Sequence, residues 1–502
     1  MPGTNIISNF NFESFAIPQA YTVYCGLLAM AVNVEQSPFF TERRVSNQVT
    51  VKDPPKFDLE SYISNYEGRT RLDRLALIGS TSTYLAVDAF RMAITEAKKG
   101  KDTSAYLKVV ECLHNILPND PMGIPDLSWV EQKNRQVKQE TERLEHELKA
   151  YKNNLIKESI RMGNEDLGQH YYATGDLSNA FKAYFRMREH CTSAKHLADM
   201  MLRLVFVSIA QKSWIGAQSH LIKVETQAPK GEERAKLEPI VSACRGLAHM
   251  CCGQYREAAE AFLQTSPAFL SADPAAGIRF QKEVLTGNDI AVYGGLCALA
   301  SMDRSELQEL VLANNDFRNF LELEPHIRRA ISLFCGSKYS ACLEVLEAYR
   351  TDYLLDVYLA PCVREIYGRI RSKSIVQYFI PFSCVTLEEM AKKFQMTGEG
   401  MSIEEELIYM INTGLLDARI DLVERLLVSP PTNPRHAAHS SALAMAEKYD
   451  HTLRLRLLRL NMLNAALEVR VPKGDGGALG TSMMGGESIG ASLRRLGQMS
   501  GF

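Results

Sequence analysis

The chain has 502 residues, of which 46% are apolar, enough to bury a sizeable core and to build two or three domains. Its 57 basic and 59 acidic residues leave a net charge of −2, which excludes a general attraction to nucleic acid or to an anionic membrane and leaves room only for local patches. The start, MPGTNIISNFNF, lacks the basic opening and apolar core of a signal peptide, and the most apolar early run, Tyr24 to Val32, is too short to cross a bilayer, so a soluble intracellular protein is expected.

Residues 1–55 carry no regular periodicity and end at Lys52-Asp53-Pro54-Pro55, a chain break in local terms. From Phe57 the apolar pattern is helical, and within it one motif recurs: a Gly, an Ala five residues on, then apolar residues at nine and ten. It reads Gly100/Ala105/Val109/Val110, Gly175/Ala180/Tyr184/Phe185, Gly253/Ala258/Phe262/Leu263 and Gly336/Ala341/Val345/Leu346, with a weaker copy at Lys212/Ala217/Leu221/Ile222. The glycine is expected to supply a left-handed turn between two helices, and the alanine to let them approach closely. Gly-to-Gly spacings of 75, 78 and 83, one of them split by the weak copy into 37 and 41, match the period of tetratricopeptide or HEAT arrays. Residues 56–371 therefore read as an α-solenoid, an architecture that scaffolds far more often than it catalyses. Within it, Trp129 to Ile160 reads as one long charged helix with a stripe of Val130, Val137, Leu144, Leu148 and Leu155, a coiled coil being the alternative.

Residues 372–431 change character. Ile375 to Ile380 leads into Thr386-Leu-Glu-Glu389, a capping-box pattern opening a helix through Phe394. Ser402-Ile-Glu-Glu405 repeats that pattern and opens a second helix, with Leu407, Ile408 and Ile411 expected inward and Gly414 at its end. Leu415–Asp421 and Glu424–Val428 read as the two strands of a wing. The order is that of a winged helix. After Pro430-Pro431 comes a last helix, about Ser440 to Val469, with one stripe of Leu453, Leu457, Leu460, Leu463 and Leu467 and a second of Leu455, Leu458, Met462 and Ala465. Two stripes suit a helix bundle with other chains; packing back on the winged helix is the alternative. The Gly- and Ser-rich segment 471–502 reads as a disordered tail.

The eleven cysteines include no Cys-x-x-Cys pair, and Cys244/Cys251 and Cys335/Cys342, each seven apart, read as reduced thiols on helical core faces. No His-x-His followed by Asp, as a JAMM zinc isopeptidase needs, is present, and no phosphate-binding Gly-x4-Gly-Lys-Ser/Thr. Gly474-Asp-Gly476-Gly477 has no strand–helix context for a phosphate loop. His436 and His439 read as solvated loop residues, and His190, Cys191 and His196 as packing or surface residues without an orienting acid. No catalytic, cofactor or metal residues are assigned. The winged helix also argues against DNA: over Thr386 to Met410, Lys392 and Lys393 stand against Glu388, Glu389, Glu399, Glu404, Glu405 and Glu406.

A mainly α chain in which a helical-repeat solenoid precedes an acidic winged helix and a C-terminal helix resembles the PCI family, shared by the proteasome lid, the COP9 signalosome and translation-initiation factor three. Two segments narrow the resemblance. Asn164-Glu-Asp-Leu-Gly-Gln-His-Tyr-Tyr-Ala-Thr-Gly-Asp-Leu-Ser-Asn-Ala180, with His190-Cys-Thr-Ser-Ala-Lys-His196, is similar to the central region of the COP9 signalosome subunit 1 family; Phe57-Asp-Leu-Glu-Ser-Tyr-Ile-Ser-Asn-Tyr66 with Arg71-Leu-Asp-Arg-Leu75 is similar to its N-terminal part. The likeness runs from about residue 56 to 430, with the helical part of the PCI domain starting near 250. It implies a non-catalytic scaffold without cofactor. The complex so resembled removes Nedd8 from the cullins of SCF-type cullin-RING ubiquitin ligases, using zinc in a separate JAMM subunit. The partners implied are other PCI subunits, that JAMM subunit and cullin-RING ligases, in cytoplasm and nucleus, with no membrane or nucleic acid. The wing, through Leu415, Leu416, Ala418 and Ile420, would pair with a neighbouring PCI subunit, and Leu453, Leu457, Leu460, Leu463 and Leu467 would enter a shared bundle. A proteasome-lid subunit sharing the Leu-Gly-x2-Tyr…Gly-Asp…Ala core is the first alternative, and a messenger-RNA export PCI protein the second.

Overall fold

The computed structural model describes residues 34–227, 231–394, 402–430, 434–465 and 467. They fall into two units, divided between Ser429 and Pro430. In the first, successive helices pack in pairs, among them Gly68–Thr81 on Ala86–Lys99, Lys157–Ala173 on Leu177–Arg186, Ala194–Ala210 on Trp214–Gln227 and Glu232–Cys251 on Tyr255–Leu263. Among the described residues no helix is long and apolar enough to cross a membrane. The expected tail with Gly474, the turn holding Glu399 and the first 33 residues lie outside the described residues.

The recurring motif marks these hairpins, though not always through glycine. Gly175 and Gly253 adopt φ of +86° and +79°, as the turn requires. At the weak copy Lys212 itself takes φ +57°; near Gly336 the left-handed residue is Ser337, at φ +60°; and Gly100 sits at φ −83°. Ala180, Ala217 and Ala258 are buried without exposure. A second close approach was not anticipated. Tyr184 and Phe262, the ninth residues of their copies, lie flat on helical glycines of the preceding helix: a Cβ on Gly168 would meet the Tyr184 ring at 2.5 Å, and one on Gly246 the Phe262 ring at 2.7 Å.

Three expectations need correction. Residues 34–55 are not wholly irregular, since Pro38–Val45 is helical and Phe40 is fully buried. The long helix is Leu127–Asn153 and stops at Leu155, at φ +53°, before a new helix starts at Lys157. Val130, Leu144 and Leu148 of its stripe are buried, Val137 half-buried, and Leu155 is exposed in the turn.

The unit holds separate apolar clusters. One gathers Phe40, Leu75, Phe90 and Leu113 from the N-terminal helices; a small one joins Leu144, Leu148, Ile160 and Leu167; the largest runs from Ala180 through the winged helix to Leu427. The N-terminal module meets the rest of the arm through Leu355, which is buried in the first of these clusters, and through a set of polar contacts. Arg74, fully buried, donates from Nη1 to Asp356 Oδ2 at 2.5 Å and from Nη2 to Asp289 Oδ2 at 3.1 Å. Its guanidinium carbon stands 4.0 Å from the Tyr66 ring centroid, and the Tyr66 and Tyr293 hydroxyls donate to Asp289 and Asp356 at 2.8 and 2.7 Å. Nearby, Lys282 and Arg279 pair with Glu67, and the Thr70 hydroxyl donates to the Glu283 carbonyl. Burial raises the carboxyls, but Arg74 and the Tyr293 and Leu359 donors hold Asp356 below its ordinary value. For Asp289 burial dominates, and its pKa lies above the ordinary value.

This packing sets the expected cost of three substitutions. Gly168→Ala should cost about 1–3 kcal/mol by forcing Tyr184 aside, and Tyr184→Leu should relieve that cost. Gly253→Ala, with open space around its Cβ but φ +79°, should cost about 1–2 kcal/mol with no such rescue in denaturant melts. Arg74→Met should destabilise by about 3–5 kcal/mol at neutral pH, since it strands two buried carboxylates. Without the cation both folded-state pKa values rise, so the variant gains stability as pH falls; the native Asp356, held low, loses stability as pH falls through its folded value. The gap between variant and native melts should therefore narrow below about pH 5; a constant gap would contradict this account.

Candidate interaction surfaces

The winged helix grows from the last solenoid helix, Ala360–Phe379. Lys373 on that helix donates to the carbonyls of Leu299 and Met302 and so finishes the helix Gly287–Ser301, while burial pulls its ammonium down to about 8. Two residues earlier, Arg371 Nε reaches both Glu406 oxygens at 2.8 and 2.9 Å. One of the six glutamates counted against DNA is therefore spent inside the protein. Ser402 caps the helix Ile403–Asn412 with a complete capping box, and Thr386 accepts from the Glu389 amide at 3.2 Å. Leu407 and Met410 face inward; Ile408 is exposed and Ile411 half-buried, so the inward face is rotated from the one expected.

The sheet has three strands, not two: β1 (Cys384–Thr386), β2 (Arg419–Asp421) and β3 (Leu426–Val428), antiparallel in the order β1-β3-β2. Leu427 at the centre faces Val385 on one side and Ile420 on the other. The first wing strand is thus shorter than Leu415–Asp421. The amides of Leu415 and Leu416 both return to the Met410 carbonyl, at 2.9 and 3.2 Å, and hold residues 415–416 against the helix end, with Gly414 at φ +73°. Of the wing residues expected at an interface, Leu416 and Ala418 are buried in the module's own core, Ile420 is half-buried, and Leu415 is exposed. Proline at Leu416 would damage the module itself. What the wing presents instead is its tip: Asp421 Oδ1 accepts from the Val423 and Glu424 amides, and the turn thrusts out Leu422 and Val423, the latter 93% exposed.

The second unit holds a 31-residue helix, Pro434–Asn464, longer at its start and shorter at its end than Ser440–Val469. Leu453, Leu457, Leu460 and Leu467 are exposed and Leu463 is half-buried, with Leu467 beyond the helix end. Leu455, Leu458 and Met462 of the second stripe are exposed as well. His436 and His439 lie on this helix, not in a loop.

Elsewhere the structure places the remaining candidates. Cys191 Sγ donates to the His196 carbonyl at 3.6 Å and burial pushes its thiol up, the opposite of an activated nucleophile. Cys244 and Cys342 are buried, Cys251 and Cys335 half-buried. Among the described residues no group of three or more His, Cys, Asp or Glu could hold a metal ion. The tail does contain one Gly-x-Ser-x-Gly string, Gly486-Glu-Ser-Ile-Gly490, outside the described residues.

A helical-repeat arm ending in an acidic winged helix, followed by a long helix with most of its leucines exposed, is the architecture of a PCI-type protein. The comparisons agree. Residues 346–431 match the PCI domain model, and residues 126–310 the model described as 26S proteasome subunit RPN7. COP9 signalosome complex subunit 1 of Emericella nidulans is 53% identical over 85% of this chain and 86% of its own, and that of Arabidopsis thaliana 39% identical over 85% and 94%. The 26S proteasome non-ATPase regulatory subunit 6 of Caenorhabditis elegans is 23% identical over 56% of this chain and 67% of its own. The chain belongs to the COP9 signalosome subunit 1 family. The lid alternative is left as a distant paralogue.

The wing tip supplies a surface prediction. Leu422→Asp with Val423→Asp should leave the melting temperature of the isolated chain within a degree or two while weakening recovery of its neighbours at least several-fold. Undiminished co-purification would remove the tip from the interface.

Proposed function

We propose that this chain is a non-catalytic scaffold subunit of a COP9 signalosome, working in a multi-subunit complex in cytoplasm and nucleus. Its direct neighbours are other PCI subunits, which it meets through the wing and through the terminal helix in a shared bundle. The isopeptidase is a separate JAMM subunit, and the complex acts on cullin-RING ligases by removing a ubiquitin-like modifier. The observation that carries this reading is the terminal helix. A 31-residue helix with exposed leucines on two stripes is stable in water only when several apolar surfaces surround it. The family relationship supports other subunits of the complex as the source of those surfaces. A messenger-RNA export role finds no support in the winged helix, where Glu404 and Glu405 stay exposed at the start of the second helix.

The test is a tagged chain recovered from its native cells. Leu457→Asp with Leu460→Asp should release it from PCI and JAMM subunits while the solenoid keeps its melting profile. Normal recovery of those subunits with the mutant would exclude the bundle. Proteasomal ATPases, or the chain alone, in the native pull-down would exclude the signalosome reading.

A further inference from the structure

Beside the Arg74 cluster lies a cavity of about 300 Å³ between the N-terminal module and the helices around residues 288–293 and 324–359. Four carboxylates line it: Asp289, Glu324, Asp352 and Asp356. Arg74 serves two of them. The remaining pair meet Lys56 and His326. The Lys56 backbone amide donates to Asp352 Oδ1 at 3.0 Å, and its ammonium stands 3.8 Å from the Tyr349 ring centroid. His326 stacks on Tyr349 at 3.9 Å, with Nδ1 3.2 Å from Glu324 Oε2 and Nε2 2.7 Å from the Tyr353 hydroxyl. Phe57, Tyr62, Tyr66 and Tyr293 add further aromatic surface to the lining.

We propose that this cavity receives one arginine or lysine side chain of another polypeptide, and that Lys56 is its resident stand-in. Three observations converge on a cation. The four carboxylates exceed the two permanent cations, Arg74 and Lys56, so the site carries surplus negative charge in a partly desolvated place. Aromatic faces beside carboxylates form the kind of surface that attracts ammonium and guanidinium groups, and one ammonium already rests on such a face. The residue supplying it is exposed and follows Pro54-Pro55 in a short stretch outside any helix, free to give way without unfolding an element. Phosphates and carboxylates would be repelled there. Asp289 and Asp356 belong both to the cavity and to the Arg74 cluster, so an incoming cation adds a second positive charge beside two carboxylates that share one guanidinium. Occupancy would then tighten the seam between the N-terminal module and the rest of the arm. This inference is independent of which complex the chain enters.

The experiment is calorimetric titration of the full chain with Nα-acetyl-arginine methylamide, its uncharged citrulline analogue, and putrescine. Saturable binding of the arginine probe, at least tenfold weaker for citrulline, is expected. Lys56→Met, which vacates the ring, should tighten binding several-fold, and Glu324→Gln with Asp352→Asn, both retaining hydrogen-bonding capacity, should weaken it at least fivefold. Melting curves establish that each variant is folded, and Lys56→Gln replaces Lys56→Met if that variant is not. Equal binding of citrulline, no saturable binding to either the native or the Lys56-substituted chain, or indifference to the carboxylate variant would overturn the proposal. Tighter binding of putrescine than of the arginine probe would make this a site for a free diamine and overturn the polypeptide assignment.

Discussion

The position of the N-terminal module depends on one buried guanidinium. Its apolar cluster, around Leu75 and Phe90, takes in Leu355 of the arm but is otherwise separate from the one that runs on into the winged helix, so hydrophobic burial ties the two parts at few points. Dispersion and apolar burial are non-directional and tolerate sliding. Arg74 does not: its planar donors must satisfy Asp289 and Asp356 at once, and those acids sit on segments already fixed by the Thr286 amide and by the Tyr358 and Leu359 amides. A buried ion cluster adds little net stability over a well-packed apolar substitute, yet a displaced one is costly. That asymmetry favours one register of the seam over its neighbours.

From that seam to the winged helix, the same device recurs in weaker form. Lys373 satisfies the last carbonyls of Gly287–Ser301, a helix otherwise buried nearly all round, and Arg371 ties Glu406 of the second winged-helix helix to the arm. Polar side chains thus set orientation where helices end, while apolar clusters supply the bulk of the burial. For a chain that works within a multi-subunit complex this division matters, because it fixes the relative placement of the surfaces offered to partners. The acidic face of the winged helix belongs to the same logic: Glu404 and Glu405 stabilise the positive end of their own helix, which spends the charge that a DNA-reading helix would need reversed.

What the sequence revealed was what is local. Ser402 and Glu405 are three residues apart, and their capping box forms as read. Gly175 and Gly253 supply the left-handed turns that their positions in the motif suggested, whereas Lys212 and Ser337 pay backbone strain that no residue-type rule anticipates. The helical glycines Gly168 and Gly246 stand in the sequence sixteen residues before Tyr184 and Phe262, a spacing that could have been noticed but is interpretable only once the helices are paired. Strand ends were less legible. Leu415 to Ala418 alternate well enough for a strand, but the Leu415 and Leu416 amides are captured by the helix end first. Arg74 was not legible at all, since its carboxylates lie 215 and 282 residues away and a lone arginine on a helix reads as solvated. The same holds for β1, three residues long and paired with a strand more than forty positions later.

The terminal helix exposes more apolar surface than a single docking face can cover. Helices gain little from propensity in water, and one of this length depends on burying an apolar face. Docking on a single surface hides a stripe about 100° wide, which can hold Leu453, Leu457 and Leu460 but not Leu455 and Leu458 on the neighbouring face. Each leucine left in water forgoes about 1.5–3 kcal/mol of burial. A helix surrounded by others would recover both stripes, and in the shared bundle proposed above that free energy would belong to the assembly. Under that proposal, mass action makes it depend on the partners' concentrations as much as on this sequence, and the stability of the helix and the formation of the complex become linked equilibria.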